Sequence, residues 1–114
     1  MLTRDQILAA ADRKIEAVEC PEWGGTVYVR SLSGMERDDL ELSVSTAMKA
    51  GGSVNARARF AAAFLCDDSG AAIFTAADIE LLGGKSAAVL ERVWNAGQKL
   101  NALNPSAVED LAKN

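Results

Sequence analysis

The sequence contains no histidine, and only two of its 114 residues are cysteine and two are proline. Histidine is the commonest general base and the commonest zinc ligand in proteins. Its absence therefore removes the usual serine and cysteine catalytic triads and most zinc sites. Cys20 and Cys66 are too few and too widely spaced to indicate a disulfide framework. We expect two reduced, partly buried thiols, as is usual for an intracellular protein.

The chain also lacks long apolar runs and clusters of basic residues. The N-terminal stretch MLTRDQILAAADRK is interrupted by Asp5 and Asp12, which is not typical of a signal peptide, and no apolar run reaches membrane-spanning length. The net charge of −4 does not favour binding to DNA or RNA. We therefore predict an intracellular protein whose partners are other proteins, and neither a membrane nor a nucleic acid.

What the chain does contain is the composition of a globular protein, with 49% hydrophobic and 25% charged residues. A chain of this length can bury one real core. The patterns below predict an α+β fold, namely a mainly helical single domain over residues 1–114. It would have about six helices around one antiparallel β-hairpin at about residues 14–31.

Capping boxes and apolar spacing predict the helices. Three boxes mark helix starts: Thr3 with Gln6, Ser33 with Glu36, and Thr75 with Asp78. The side chains expected to be buried in the first helices are Ile7, Leu8 and Ala11, then Leu40, Val44, Ala47 and Met48, then Phe60, Ala61, Phe64 and Leu65. The longest stripe follows Ser86 and comprises Val89, Val93, Ala96, Leu100 and Leu103.

Three shorter stretches complete this prediction. Asn104 and Pro105 indicate a last short helix, with Val108 and Leu111 facing inward. Ile73-Phe74 is expected to be a short extended piece inserted into the core. The letters FLC at residues 64–66 fit either the end of a helix or a short strand.

Residues 14–31, KIEAVECPEWGGTVYVRS, predict the hairpin. Gly24-Gly25 can supply the positive φ angles of a two-residue turn. The resulting register pairs Trp23 with Thr26, Pro21 with Tyr28, and Glu19 with Arg30. One face then presents Cys20, Val27 and Val29 to the core. Because proline cannot donate a ladder hydrogen bond, the first strand is expected at the edge of the sheet.

The opposite hairpin face supplies the candidate interface. An aromatic side chain beside an exposed turn either packs beneath the ribbon or anchors a protein interface, and both alternatives stay open for Trp23 and Tyr28. We predict a protein interface formed by Trp23, Tyr28, Arg30 and Pro21. Arg30 is also expected to form a cross-strand ion pair with Glu19.

Motifs that suggest ligand chemistry fail on inspection. The carboxylates of Glu36, Asp38, Asp39 and Glu41 fan around a helix instead of converging on a metal. The stretch Asp67-Asp68-Ser69-Gly70 does not fit a calcium loop, because uncharged residues occupy the terminal ligand positions. Gly84-Lys85-Ser86 lacks the upstream glycine of a phosphate-binding loop. We predict no catalytic, cofactor-binding or metal site.

Three stretches resemble the tail assembly chaperone family of long-tailed bacteriophages and prophages. They are PEWGG-V-VR from residue 21, the helix start SGMER from residue 33, and CDDSG…IFT…D…L from residue 66. The resemblance extends over nearly the whole chain. It implies a non-enzymatic chaperone of the bacterial host cytoplasm, without a cofactor. Such a chaperone binds the tape-measure protein and helps the tail tube to assemble, with the tail-tube protein as a second candidate partner.

Two other classes of function stay open, and so does formation of a homo-oligomer. A phage structural component, such as a head–tail connector or minor tail protein, would remain in purified virions, whereas a chaperone would not. A small nucleic-acid-binding or regulatory module would bind its target with a steep dependence on salt.

Overall fold

The computed structural model describes residues 1–102 of the chain. Within that range the helices are α1 (Arg4–Ala9), α2 (Gly34–Ala50), α3 (Ala56–Phe64), α4 (Ile79–Gly83) and α5 (Ala87–Leu100), and the strands are β1 (Ile15–Cys20), β2 (Gly25–Arg30) and β3 (Leu65–Cys66). The α+β prediction is confirmed, with five α-helices in the described range and a hairpin at the expected place. Leu103 and the predicted last helix lie outside the described residues.

The strands form one antiparallel sheet in the order β1-β2-β3. Among the described strands, β1 pairs only with β2 and is therefore an edge strand, as expected. The third strand directly follows α3, with Leu65 opposite Val29 and Cys66 opposite Tyr28. The extended alternative for the FLC stretch is thus correct for Leu65 and Cys66, and the sheet has one strand more than the predicted hairpin.

The predicted hairpin register is wrong. Cys20 lies opposite Gly25, Glu19 opposite Thr26, and Ile15 opposite Arg30. The connection is longer than the expected two-residue turn because Pro21–Trp23 form one turn of 3-10 helix, which Gly24 closes at φ 85°. Proline suits the first position of such a turn, where its fixed φ is favourable and its missing N–H is not needed.

The core lies between the sheet and helices α2 to α5. Phe60 and Phe64 of α3 are fully buried, as predicted, and pack on α5. The Phe60 and Trp94 rings meet edge-on with their centroids 4.4 Å apart. Gly97 of α5 lies so close to α3 that an added Cβ atom would stand 2.2 Å from Cδ2 of Phe64.

Most of the helix predictions are confirmed. All three capping boxes are present, and the long stripe of α5 buries Val89 and Val93 while Ala96 and Leu100 pack against the core. In α2, however, only Leu40 and Val44 are buried, and Met48 is 42% exposed. Ile73, expected in the core, is also exposed, whereas Phe74 packs against the core.

The N-terminal helix differs most from its prediction. α1 ends at Ala9 and buries no residue, although Ile7, Leu8 and Ala11 were expected to be buried. Ile7 is 57% exposed and Leu8 is 68% exposed. Helical spacing identifies the apolar side of a helix but does not show whether another element covers it.

Candidate interaction surface

The hairpin tip is fixed to α5 by a bidentate ion pair. Arg92 donates to both carboxylate oxygens of Glu22, at 2.8 Å to Oε1 and 2.7 Å to Oε2. These hydrogen bonds to Arg92 lower the pKa of Glu22 to about 2. Paired geometry of this kind is the strongest form of arginine–carboxylate contact. It holds the turn in a defined position, with Pro21 exposed beside it.

Trp23 points toward the protein interior. The side chain is partly buried and packs against the core cluster, as Val27 also does. The prediction that Trp23 lies on the face away from the core is therefore wrong. Because Trp23 belongs to the 3-10 turn, its direction does not follow the strict alternation of a strand. Of the two alternatives left open for Trp23, packing within the protein is the one that describes its contacts.

Arg30 joins four segments from a buried position, with 8% of its surface exposed. Its Nε donates to the Ala63 carbonyl at 3.0 Å. Its Nη1 donates to Glu36 Oε2 at 2.8 Å and to the Gly70 carbonyl at 3.2 Å. The predicted ion pair with Glu19 is wrong, because the observed register places Thr26 opposite Glu19. Arg30 instead links β2 to the start of α2, the end of α3 and the turn after β3.

Glu36 is the acceptor at the centre of this network. It accepts from the Ser33 backbone N–H at 2.8 Å and from Arg13 Nη2 at 2.5 Å, as well as from Arg30. Partial burial acts to raise the pKa of Glu36. The Ser33 N–H and the charges of Arg30 and Arg13 outweigh that effect and hold this pKa below its ordinary value. Glu36, the capping-box partner of the N-cap Ser33, thus also anchors the segment that follows α1.

Tyr28 lies on the outer face of the sheet. It is 38% exposed, with Ala17 opposite it on β1 and Cys66 opposite it on β3. Ile15, two residues along β1 from Ala17, is 42% exposed. Tyr28 and Pro21 are therefore the exposed members of the predicted set. They do not lie opposite each other. Pro21 follows Cys20, which faces Gly25, and Tyr28 lies three residues beyond Gly25 along β2.

Two exposed apolar surfaces were missed by the sequence interpretation. The first is α1, where Ile7 and Leu8 remain uncovered. The second is the outer side of α2, where Met35 is 77% exposed and Leu42 is 66% exposed. A signal for the second was present, because Met35 and Leu42 lie seven residues apart and neither fits the spacing of the buried Leu40 and Val44.

Arg30 and Glu36 also line an open pocket of about 320 Å³. Its walls include Leu40, Phe74 and Ile79, together with Arg59. Arg59 donates to the Val54 carbonyl and to Ser43 within the chain.

Both free cysteines are buried, and burial raises the pKa of the Cys66 thiol. Among residues 1–102, no group of three or more His, Cys, Asp or Glu side chains is arranged to hold a metal ion.

The described helices include none that is both long and apolar enough to cross a membrane. Among the solved structures similar to this chain is the tail assembly chaperone of bacteriophage HK97, with a TM-score of 0.59 and 22% sequence identity. The match covers 84% of this chain and 90% of the HK97 chain.

This chain has the fold of the HK97 chaperone. The resemblance inferred from the sequence is thereby confirmed at the level of the fold, and it extends over most of the described elements. No family model and no curated protein matches the sequence.

Proposed function

We propose that this protein is a non-enzymatic phage tail assembly chaperone. It binds the tape-measure protein in the cytoplasm of the bacterial host and helps the tail tube to assemble, with the tail-tube protein as a second partner. The observation that carries the proposal is the shared fold with the HK97 tail assembly chaperone over 84% of the chain. The sequence resemblance in the hairpin and in the start of α2 supports the same role.

The exposed side of α1 supports binding to a protein partner. Isolated helices shorter than about 12–15 residues are only marginally stable in water. α1 has six residues and a complete capping box, yet Ile7 and Leu8 are uncovered. A partner that packs on these side chains would stabilise the helix and remove apolar surface from water. An amphipathic helix in the tape-measure protein is suited to this contact.

The hairpin supplies the second part of the proposed interface. Tyr28 and Pro21 are exposed and available for contact. Trp23 and Arg30 hold the hairpin in place through the core contact and the Glu36 network. We therefore retain all four residues in the proposed interface, with Trp23 and Arg30 acting mainly as supports for the two exposed side chains.

Co-expression with the tape-measure protein of the same phage tests the proposal. We expect the wild-type chain to increase the soluble fraction of the tape-measure protein, measured by quantitative gel analysis of cleared lysates. The double substitution Ile7→Glu with Leu8→Glu should remove most of this effect, and Tyr28→Ala should weaken it. Leu81→Glu is the matched control, because Leu81 is 76% exposed but lies on α4.

Two results would contradict different parts of the proposal. If the wild-type chain leaves the tape-measure protein insoluble and is found in purified virions by mass spectrometry, the chain is a structural component. If wild type is active and the α1 and Tyr28 variants are equally active, the chaperone function stands and the proposed surface is wrong.

A further inference from the structure

The outer edge of β1 is an unpaired side of the sheet. Among the described strands β1 pairs only with β2, and α1, which precedes it, buries no residue. The Ser31 N–H donates to the Lys14 carbonyl at 2.8 Å, so the backbone groups of Lys14 point toward the other half of the hairpin. Because this direction alternates along an antiparallel strand, the N–H and C=O groups of Ile15, Ala17 and Glu19 point to the free edge.

Most of these edge groups have no partner within the part of the chain that the structure describes. The Glu19 carbonyl accepts a long hydrogen bond of 3.4 Å from Arg92, which leaves the Glu19 N–H open. No hydrogen bond from another described segment reaches the backbone of Ile15 or Ala17. Both residues are exposed. The edge therefore offers a row of donors and acceptors with which a further strand can pair.

The charged side chains of β1 determine which strand fits this edge. Glu16 and Glu19 are exposed, and so is Lys14 just before the strand. None of the three forms an ion pair with a side chain of residues 1–102. Charges on an edge strand disfavour a neighbour of like charge, whereas opposite charges across a strand pair stabilise it. The edge is thus complementary to a strand with two bases and one acid at matching positions.

We infer that the free edge of β1 accepts an extended segment of another protein as an added antiparallel strand. The segment has bases opposite Glu19 and Glu16 and an acid opposite Lys14. Apolar residues of the segment lie opposite Val18 and Ile15, where they cover apolar surface. From its N-terminus to its C-terminus the segment reads base, apolar, small, base, apolar, acid. Both strand pairs of the existing sheet are antiparallel, so this direction continues the same hydrogen-bonding pattern.

This contact goes beyond the proposed role of α1 and Tyr28, because backbone groups of β1 carry it. Backbone hydrogen bonds supply the affinity in strand addition, and alternate side chains supply the specificity. Side chains opposite Ile15 and Ala17 would extend the outer face of the sheet, since Ala17 lies opposite Tyr28. We expect weak binding of an isolated peptide, because the ladder is short and Arg92 already contacts one end of it.

Hydrogen exchange measured by NMR on the full chain tests the added strand. The probe is the peptide acetyl-Lys-Val-Thr-Lys-Val-Glu-amide. In the free chain the amides of Ile15 and Ala17 should exchange quickly. Those of Glu16 and Val18 point toward β2 and should exchange slowly. Peptide at about ten times its Kd should slow exchange of the two edge amides about tenfold and leave the other two unchanged.

Three matched peptides separate strand addition from attraction between charges. Exchanging every Lys and Glu in the probe should raise its Kd about tenfold or more. N-methylation of the third residue, whose N–H faces β1, should abolish binding, whereas N-methylation of the fourth, whose N–H faces away, should leave binding intact. Equal Kd values for the two N-methylated peptides would overturn the added strand. Equal values for the two charge patterns would overturn the assignment to a basic segment.

Variants of the chain test the same edge. Ala17→Pro removes an N–H that the hairpin does not use, and proline is tolerated at a free edge, so this variant should fold but lose peptide binding. Ala17→Ser keeps the N–H and should bind as wild type. Ile7→Glu with Leu8→Glu should also bind as wild type, so failure of the proposed α1 surface would leave this result untouched. Protection of the Ile15 and Ala17 amides that rises with the concentration of the chain alone would overturn the inference, because a second copy would then occupy the edge.

Discussion

Gly97 determines how closely α5 approaches α3. Substitution Gly97→Ala would place a Cβ atom 2.2 Å from Cδ2 of Phe64, which is itself fully buried and held between Phe60 and Trp94. Overpacking of this kind usually costs about 1–3 kcal/mol and exceeds the gain of about 1 kcal/mol from replacing glycine in a helix. We expect a lower free energy of unfolding, measured by urea denaturation.

Gly34→Ala is the matched control, because Gly34 begins α2 and an added Cβ there meets no atom within 4 Å. This variant should be as stable as wild type or slightly more stable. A Gly97→Ala protein with wild-type stability would show that α5 can shift away from Phe64 at little cost.

We expect Arg30 to contribute to the stability of the folded protein. Arg30→Met would leave Glu36 without its most buried cation and would remove a donor from the carbonyls of Ala63 and Gly70. Unsatisfied buried groups cost about 1–3 kcal/mol each, so we expect a loss of about 2–4 kcal/mol in urea denaturation. Arg37→Met removes an exposed pair with Glu41 and should change stability by less than about 0.5 kcal/mol. Equal stability of the two variants would contradict the structural role.

The carboxyl group of Glu22 should titrate at a much lower pH than that of an ordinary glutamate. Its pKa in the folded protein is about 2, compared with 4.5 for a free side chain. Because the pKa of Glu22 is lower in the folded than in the unfolded protein, the contact with Arg92 stabilises the fold above pH 4.5. This contribution disappears as the pH falls toward 2.

Carbon-detected NMR of the Glu22 carboxylate should show this low midpoint, and Arg92→Gln should move it toward 4.5. The difference in melting temperature between wild type and Arg92→Gln should shrink over the same pH window. An unchanged Glu22 midpoint in Arg92→Gln would show that another group lowers the pKa.

At the scale of secondary-structure elements, α1 should be dispensable for folding. None of its residues is buried, and the chain is first tied to the body at Arg13 and Lys14, which bond to Ser31. Deletion of residues 1–9 should therefore change the free energy of unfolding by less than about 0.5 kcal/mol. Ser33→Ala, which removes the N-cap of α2, should cost about 1 kcal/mol in the same urea assay. A larger loss on deletion would mean that α1 packs on the body.

The hairpin shows how far local pattern can specify structure. The two strands were predictable, because alternation and turn residues are local signals. The register was not, because the tip is fixed by an ion pair between Glu22 and Arg92, which are 70 positions apart in the chain. The turn of Pro21–Trp23 plus Gly24 and the glycine-pair turn are both compatible with the local sequence, and the contact between Glu22 and Arg92 favours the observed one.

The candidate site was predictable only in part for a similar reason. Tyr28 was correctly placed on the outer face, since a strand alternates its side chains. The burial of Arg30 depends on carbonyls at Ala63 and Gly70, which no local pattern connects to β2. The exposure of Ile7 and Leu8 likewise depends on which elements the fold places beside α1.

At the scale of the whole molecule, the apolar surfaces divide into an interior and an exterior set. The interior set joins the sheet to α3 and α5 in one cluster. The exterior set includes Ile7 and Leu8 of α1, the Tyr28 face of the sheet, and Met35 and Leu42 on the outer side of α2. We propose that the first two contact the tape-measure protein, which makes partner binding separable from folding.

Separate variants should therefore change separate properties. Ile7→Glu with Leu8→Glu should remove most of the solubilisation of the tape-measure protein but leave the free energy of unfolding unchanged. Gly97→Ala should do the reverse, with lower stability and with solubilisation retained by the folded protein. The reason is burial, because Ile7 and Leu8 are 57% and 68% exposed whereas Gly97 lies against the buried Phe64. Urea denaturation and the soluble-fraction assay on the same four proteins, including wild type and Leu81→Glu, measure both properties. If the α1 variant lost both, α1 would pack on the body of the protein and would not be a free binding surface.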